Sequence, residues 1–202
     1  MSNDEMFRSY GLVSISRVDP SILIELKYAT EDNFMGMNLY GSLKDAYFVP
    51  EIAERLSFAQ KSLKCEFPEM SFLIYDAARP MSIQRRMFDS VKGTDKEIYV
   101  ASPYDGGGYH NYGLAVDLTI ADENGAPLDM GTTFDSFDIA SHVGDEDNLV
   151  QSGIISAQAR ENRNLLVRHM SAAGFDQNPT EWWHFQRYSK EEMMNNFSLL
   201  DF

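Results

Sequence analysis

Alternating and continuous apolar runs along the chain predict its strands. Residues 114–120 alternate, so the larger apolar side chains fall on one strand face and Asp117 falls on the other. Residues 71–75 form a short, nearly continuous apolar run, which is typical of a strand buried on both faces. We also predict a first strand over 21–28 and a final strand that contains His184.

Apolar residues at helical spacing predict three helices. Pro50 can begin a helix over 50–65, and a second helix is predicted over 82–91. Ser156 fits the N-cap of a third helix, and Gly174 fits the C′ position that ends it. The apolar stripes expected to face the core are Ile52, Leu56, Ala59 and Leu63 in the first helix, Ile83, Met87 and Val91 in the second, and Ala159, Leu165, Leu166 and Met170 in the third.

The stretches between these elements are irregular and cover residues 29–42, 92–112 and 128–150. The second contains Gly106-Gly107-Gly108, which is not a phosphate-binding P-loop because no Gly-Lys-Ser/Thr follows it. We interpret this segment as a flexible approach to His110, and the acidic third stretch as a lid or a pocket wall. Because the sequence has no internal repeat or composition shift, we predict a single domain over 1–202.

Composition and charge narrow the choice of partners and compartment. The formal charge of −14 repels nucleic acid and anionic lipids, and no apolar run approaches the ~20 residues of a membrane span. The single Cys65 excludes an intrachain disulfide and suits a reducing compartment. Residues 1–6 are polar and acidic, unlike an export signal, so we expect a cytoplasmic protein. An export signal trimmed from the chain would leave the same pattern.

Two separated histidines, each with an acid nearby, predict a metal site. His110 and Asp117 lie seven residues apart and lead into the central strand. Glu181 precedes His184 by three residues, among aromatic side chains that would exclude water. Two histidines and one aspartate supply three ligands for Zn²⁺ and leave a fourth position for water, with Glu181 as a base. Either histidine could instead be a hydrogen-bonded structural residue.

Local geometry separates the base from the ligands. Asn178-Pro179 predicts a turn that ends near Glu181. Because residues three apart lie on opposite faces of a flat strand, we expect Glu181 at the loop edge and His184 within the strand. From there, the carboxylate could reach metal-bound water without ligating the metal.

Three other polar residues could have structural roles. Arg79 follows the strand over 71–75, where it could form a structural ion pair with Asp76 or line a pocket. His142 and His169 are interpreted as structural, because the first lies in an acidic loop and the second in the last turn of a predicted helix.

Six short motifs follow one another along the chain. They are Lys27-Tyr28-Ala29-Thr30-x-Asp32-Asn33-Phe34, Asp76-x-x-Arg79-Pro80, His110-x-x-Gly113-x-Ala115-x-Asp117, Leu128-Asp129-Met130-Gly131-x-x-Phe134-Asp135, Ala159-x-x-Asn162-Arg163 and Glu181-Trp182-Trp183-His184. In this order, and over most of the chain, they closely resemble the zinc D-alanyl-D-alanine dipeptidases of the VanX type. Several separated motifs are far more specific than any single one.

The resemblance implies an α+β fold of the D,D-peptidase and hedgehog type, with helices packed on a small, mainly antiparallel sheet that carries a zinc cleft. It implies one Zn²⁺ per chain, held by His110, Asp117 and His184. The residue matching the family's catalytic base is Glu181, and the one matching its transition-state-stabilising arginine is Arg79.

The resemblance also implies contacts with the substrate, and at one of these positions the chain departs from the family. Asp135 matches the residue that holds the substrate's amino terminus, although an aspartate in such a loop is more often a cap or a loop-stabilising residue. The family has a serine two residues before its first zinc histidine, and this chain has Gly108 there. Tyr109 or the Gly108 amide could supply the missing hydrogen bond to substrate.

The resemblance implies zinc-dependent hydrolysis of D-Ala-D-Ala or a related small D,D-dipeptide. One alternative is a zinc D,D-carboxypeptidase that acts on peptidoglycan stem peptides. Another is a non-catalytic, metal-stabilised binding domain, and the presence of both Glu181 and Arg79 argues against it.

Overall fold

A five-stranded sheet lies at the centre of the computed structural model, which describes residues 2–202. The strands are, in chain order, β1 (Val13–Ser14), β2 (Leu23–Ile24), β3 (Tyr47–Phe48), β4 (Ser71–Asp76), β5 (Ala115–Ala121), β6 (Asp176–Gln177) and β7 (His184–Gln186). The order across the sheet is β2-β4-β5-β7-β6, in which β2 and β4 are parallel and the other neighbours are antiparallel. The remaining strands, β1 and β3, form a separate antiparallel pair.

The helices confirm the predicted periodicity within about one residue at most ends. They are α1 (Asn3–Ser9), α2 (Ile15–Val18), α3 (Pro50–Glu66), α4 (Met81–Val91), α5 (Glu146–Gln151), α6 (Ala157–Ala172) and α7 (Lys190–Asn196). Ser156 caps α6 by accepting a hydrogen bond from the Ala159 amide, and Gly174 follows its C-cap with a φ of 84°. Together with the sheet, these helices confirm the predicted α+β fold class.

Helices α3 and α6 cover one face of the sheet. Leu56 of α3 and Leu166 of α6 join the large apolar side chains of β5 in the main hydrophobic core. Two residues predicted to face the core, Ile83 and Leu165, are only partly buried. The inner stripe of α4 contains instead a polar residue, Gln84, which is 1% exposed.

The opposite face of the sheet is covered by the irregular stretch over 128–137. Phe134 packs there against Tyr75 and Trp183, with ring centroids 5.3 Å and 5.4 Å apart. Strand β5 is therefore buried on both faces, and this second face carries Asp117. Asp135 and Phe137 of this stretch also line a cavity, in agreement with the predicted pocket wall.

Two sequence predictions need correction. The strand predicted over 21–28 is reduced to Leu23–Ile24, because the chain then turns into a 3₁₀ helix over Lys27–Ala29 that buries Tyr28. The approach to His110, predicted as a flexible loop, is organised into short 3₁₀ helices. These lie at Glu97–Tyr99, Pro103–Asp105 and Tyr109–Tyr112.

No helix between residues 2 and 202 is long and apolar enough to cross a membrane.

Candidate metal centre and cleft

The three predicted metal ligands converge at the end of the sheet. Asp117 in β5 and His184 in β7 are directly paired across neighbouring strands, and His110 comes from the 3₁₀ helix just before β5. Their nearest polar atoms are 3.2 Å apart for His110 Nε2 and Asp117 Oδ1, 2.9 Å for His184 Nδ1 and Asp117 Oδ1, and 3.1 Å for the two histidine nitrogens. Within residues 2–202 this is the one cluster of histidine, cysteine or acidic side chains with metal-ligand spacing.

The hydrogen bonds of the two histidines leave the converging nitrogens able to bind a metal. Nδ1 of His110 lies 2.7 Å from the Ala77 carbonyl oxygen, and Nε2 of His184 lies 3.1 Å from Oε1 of Gln186. These oxygens are acceptors, so the facing nitrogens carry the proton and the inward nitrogens keep their lone pairs. Two such lone pairs and a carboxylate placed together favour a cation between them.

The spacing of the donors also fits zinc. Nitrogen and oxygen ligands at ~2.1 Å from Zn²⁺ in a tetrahedron lie roughly 3.4 Å apart. The separations between the three donor atoms, 2.9 to 3.2 Å, are close to that value. All three side chains are buried, which shields the donor atoms from bulk solvent.

The charges of the cluster residues shift one another's pKa values. Burial raises the pKa of Asp117, but the neighbouring His110 and His184 outweigh burial and hold that pKa below its usual range. Burial lowers the pKa of His110, and the Asp117 carboxylate outweighs that effect and raises it. The aspartate is therefore ionised at neutral pH, as a metal ligand must be.

Glu181 lies beside the cluster and outside it. Its Oε2 is 3.9 Å from Nδ1 of His184 and accepts a hydrogen bond of 3.0 Å from Nδ2 of Asn178. The backbone turns between Glu181 and His184, whose amide donates to the Glu181 carbonyl. Burial raises the pKa of Glu181 to about 7. A carboxyl group with that pKa can exchange a proton near neutral pH.

The adjacent tryptophans have different environments. Trp183 lines the cavity beside the cluster, whereas Trp182 is a core residue whose indole N–H donates to Oγ1 of Thr132 over 2.8 Å. Both are nearly fully buried. Trp183 contributes an apolar wall that limits water access to the site.

Arg79 satisfies both of its predicted interpretations. Its Nε donates to Asp76 Oδ2 over 3.0 Å, so the ion pair at the end of β4 is present. The guanidinium also lines the cavity and lies 5.1 Å from the centre of the Tyr28 ring. The Arg79 amide donates to the His110 carbonyl, which fixes this arginine relative to the metal cluster.

Sequence reasoning missed the residues that hold Arg79. Nη1 of Arg79 donates to Oε1 of Gln84 over 3.0 Å, and Nε2 of Gln84 donates to the Ala101 carbonyl over 2.7 Å. Asp76 is fully buried and also accepts a hydrogen bond from the Tyr40 hydroxyl. A signal for Gln84 was present, because it is the polar residue that interrupts the buried stripe of α4.

Asp135 lies in the cavity wall and is not a helix cap. The Tyr28 hydroxyl donates to its Oδ1 over 2.8 Å, and the Phe34 amide donates to its Oδ2 over 3.3 Å. Its backbone φ is 59°, a left-handed conformation that is uncommon outside glycine. Burial raises the pKa of Asp135 to about 7. The N-cap of the nearby 3₁₀ helix over Ile139–Ser141 is Asp138 instead.

The structure excludes one of the two substitutes for the family serine. The Gly108 amide already donates to Oδ1 of Asn111 over 2.8 Å, so it is not a free donor. A Cβ atom at position 108 would lie 2.9 Å from Cβ of Ala101, so glycine is needed for this close approach. Tyr109 is half-buried and lines the cavity.

All of the candidate residues share one cavity of about 390 Å³. They are Arg79, Tyr109, His110, Asp117, Asp135, Glu181 and His184. The histidines interpreted as structural lie outside the cluster: Nε2 of His142 is 3.2 Å from the Tyr99 hydroxyl, and Nδ1 of His169 is 2.9 Å from the Ser62 hydroxyl. The cavity thus combines metal ligands, a carboxyl group with a raised pKa and a fixed cation.

Comparisons with known proteins show what the chain is similar to. A family model described as D-ala-D-ala dipeptidase, in the Peptidase M15 family, matches residues 8–199. A D-alanyl-D-alanine dipeptidase from Escherichia coli (strain K12) is 33% identical, over 87% of this chain and 83% of its own length. One from Enterococcus faecalis (strain ATCC 700802 / V583) is 27% identical, over 87% of this chain and 91% of its own. Among solved structures, that of the LdcB LD-carboxypeptidase is 22% identical with a TM-score of 0.43, over 73% of this chain and 62% of that one.

Proposed function

The chain belongs to the D-Ala-D-Ala dipeptidase family of peptidases, the Peptidase M15 metallopeptidases, and from this premise we propose that it is a zinc enzyme that hydrolyses D-Ala-D-Ala or a related D,D-dipeptide. The observation that carries the proposal is the convergence of His110, Asp117 and His184 in the same cavity as Glu181 and Arg79. The proposed ligands of one Zn²⁺ are these two histidines and the aspartate. When bound there, Zn²⁺ supplies Lewis acidity and lowers the pKa of a coordinated water toward ~7.

Glu181 is the proposed general base. Asn178 holds one oxygen of its carboxylate, which orients the other oxygen without neutralising it. The carboxylate takes a proton from the attacking water and then passes it to the leaving amine of the second residue. A pKa of about 7 allows both transfers near neutral pH.

Arg79 is proposed to stabilise the negative charge that grows on the scissile carbonyl oxygen. Of the five N–H groups of a guanidinium, three are engaged by Asp76 and Gln84, which leaves two for the substrate. Because the engaged groups fix the side chain in advance, little reorganisation is needed as the charge develops.

Asp135 is proposed to bind the ammonium group of the dipeptide. A free amino terminus can form a charge-assisted hydrogen bond with this carboxylate. A blocked or extended amino terminus would leave the carboxylate buried without that partner. Such a loss is on the order of 2–5 kcal/mol, so a dipeptide should be strongly preferred over a stem peptide.

A comparison of substrate lengths tests the proposal. Zinc-loaded protein is incubated with D-Ala-D-Ala, N-acetyl-D-Ala-D-Ala and a pentapeptide stem, and released D-alanine is quantified by amino-acid analysis. We expect rapid release from D-Ala-D-Ala alone. Comparable kcat/KM on the free and acetylated dipeptides would overturn the dipeptidase assignment in favour of the carboxypeptidase.

Other features of the proposal rest on sequence alone. We propose that the partner is a small dipeptide and that neither nucleic acid nor a membrane is bound, because the chain carries a formal charge of −14. A cytoplasmic location and a single domain over 1–202 remain predictions.

A further inference from the structure

The cavity contains one basic side chain that is not paired. Two basic side chains line it, Arg79 and Lys190. Arg79 is 7% exposed and is held by Asp76 and Gln84. Lys190, the exposed first residue of α7, makes no hydrogen bond or ion pair with any side chain between residues 2 and 202. Its ammonium group is free to meet a ligand at the cavity wall.

The groups proposed to hold the first residue of the dipeptide lie together around Tyr28. Its hydroxyl donates to Asp135 over 2.8 Å, and the Arg79 guanidinium lies 5.1 Å from the centre of its ring. In a dipeptide the ammonium and the scissile carbonyl belong to the same residue, and the terminal carboxylate belongs to the next. The carboxylate must therefore extend from the scissile bond toward a part of the cavity away from Tyr28.

Most hydrogen-bond donors around the cavity are already engaged. Nε2 of Gln84 donates to the Ala101 carbonyl, Nδ2 of Asn178 donates to Glu181, and the Gly108 amide donates to Asn111. No side-chain donor comes from position 108, where Ala101 leaves no room for a Cβ atom.

Besides the two N–H groups of Arg79 already assigned to the substrate, four side-chain donors that line the cavity make no hydrogen bond within residues 2–202. They are the Tyr109 hydroxyl, the Trp183 indole N–H, the amide nitrogen of Gln186 and the Lys190 ammonium, of which only the last is charged. Tyr109 and Lys190 lie on one wall, because α7 packs against the 3₁₀ helix that carries Tyr109 and His110.

We propose that Lys190, together with the Tyr109 hydroxyl, binds the terminal carboxylate of the substrate and makes the enzyme selective for dipeptides with a free carboxyl end. This inference rests on the proposed dipeptidase function. Asp117, Asp135 and Glu181 give the cavity three carboxyl groups that disfavour another anion. An unpaired ammonium at the cavity wall offsets that repulsion and, by pairing with the terminal carboxylate, helps to orient the dipeptide.

A two-by-two comparison tests the role of Lys190. Wild type and Lys190→Met are assayed with D-Ala-D-Ala and with D-alanyl-D-alaninamide, which lacks the carboxylate charge. For D-Ala-D-Ala we expect Lys190→Met to raise KM roughly three- to tenfold with kcat unchanged, because the contact is made equally in the ground and transition states. For the amide we expect no change. Lys190→Arg should retain the preference for the acid.

The matched control is Lys44→Met. Lys44 is exposed and does not line the cavity, so this variant removes the same charge without touching the site. We expect its kinetics to match wild type for both substrates. A loss in Lys190→Met that is equal for acid and amide would overturn the proposal, because it would indicate a structural effect of α7.

Failure of the proposed function would be visible separately, as absence of hydrolysis of either compound by wild type. In that case calorimetric binding of the same acid and amide to the zinc-loaded protein decides the role of Lys190. A preference for the acid that disappears in Lys190→Met supports carboxylate binding, and no preference in wild type overturns it.

Discussion

The metal centre and the rim of the cavity are built in different ways. At the centre, Asp117 and His184 are directly paired on neighbouring strands, and His110 is fixed by its hydrogen bond to Ala77. At the rim, Asp135 lies in an irregular segment with a positive φ, and Lys190 begins a helix of seven residues. The centre depends on sheet register, and the rim depends on the paths of loops.

We therefore expect the chemistry at the metal centre and the substrate selectivity at the rim. Sheet pairing fixes ligand spacing with little freedom, which suits a metal site. Loops tolerate change more readily and often carry selectivity. Substitutions near the centre should therefore decide whether hydrolysis occurs, whereas substitutions at the rim should decide which substrate is accepted.

The largest expected effect comes from Glu181→Gln. Removing the proposed base should lower kcat by ~10²–10⁴ while zinc is retained, because Glu181 is beside the ligands and not among them. Steady-state kinetics and metal analysis on the same preparation check both parts. A kcat within a few-fold of wild type would contradict the assignment of Glu181 as the general base.

Arg79→Lys should have the next largest effect. Lysine keeps a positive charge near the buried Asp76 but lacks the planar fork that also reaches Gln84. We expect kcat to fall by ~10²–10³ with KM little changed, as for loss of a preorganised transition-state contact. A rise in KM alone would instead assign Arg79 to substrate binding, like the selectivity residues of the rim.

Asp135→Asn tests whether the rim selects substrates. The variant is isosteric, and its side-chain oxygen can still accept the hydrogen bond from Tyr28. We expect kcat/KM for D-Ala-D-Ala to fall by about tenfold or more and that for N-acetyl-D-Ala-D-Ala to stay the same, which narrows the gap between them. Equal losses on both substrates would show that Asp135 has no role in recognising the amino terminus.

A pair of variants separates two functions of Gln84. Gln84→Met removes its hydrogen bonds with Arg79, Ala101 and Asn111, whereas Gln84→Glu keeps the acceptor for Arg79 and loses the donor to Ala101. If Gln84 positions Arg79, Gln84→Met should lower kcat by about tenfold and Gln84→Glu should restore most of it. Equal kcat losses in the two variants would instead indicate a role in packing.

The sequence predicts long helices and strands more closely than short ones. Helices α3, α4 and α6 and strands β4 and β5 have enough residues to show a period, and the sequence located them closely. Strands such as β6 have only two residues, so they carry no periodic signal and depend on tertiary pairing. The strand predicted over 21–28 failed for a related reason, because a buried 3₁₀ turn replaces most of it.

Within the site, residue types and order indicated the metal cluster, and the geometry brings its members together. Their catalytic roles remain proposals. The sequence could not indicate which donors are already engaged, since the bonds of Gln84, Tyr28 and Asn111 join segments distant along the chain. For the same reason, the glycine at position 108 was noted without the close approach of Ala101 that requires it.

Metal content measures directly whether His110, Asp117 and His184 bind a zinc ion. Wild type, His184→Ala and the control His142→Ala are purified, equilibrated with zinc, dialysed and analysed by inductively coupled plasma mass spectrometry. We expect about one zinc per chain in wild type and in His142→Ala, because His142 lies outside the cluster, and loss of zinc in His184→Ala. Full zinc occupancy in His184→Ala, or none in wild type, would show that the cluster is not the zinc site.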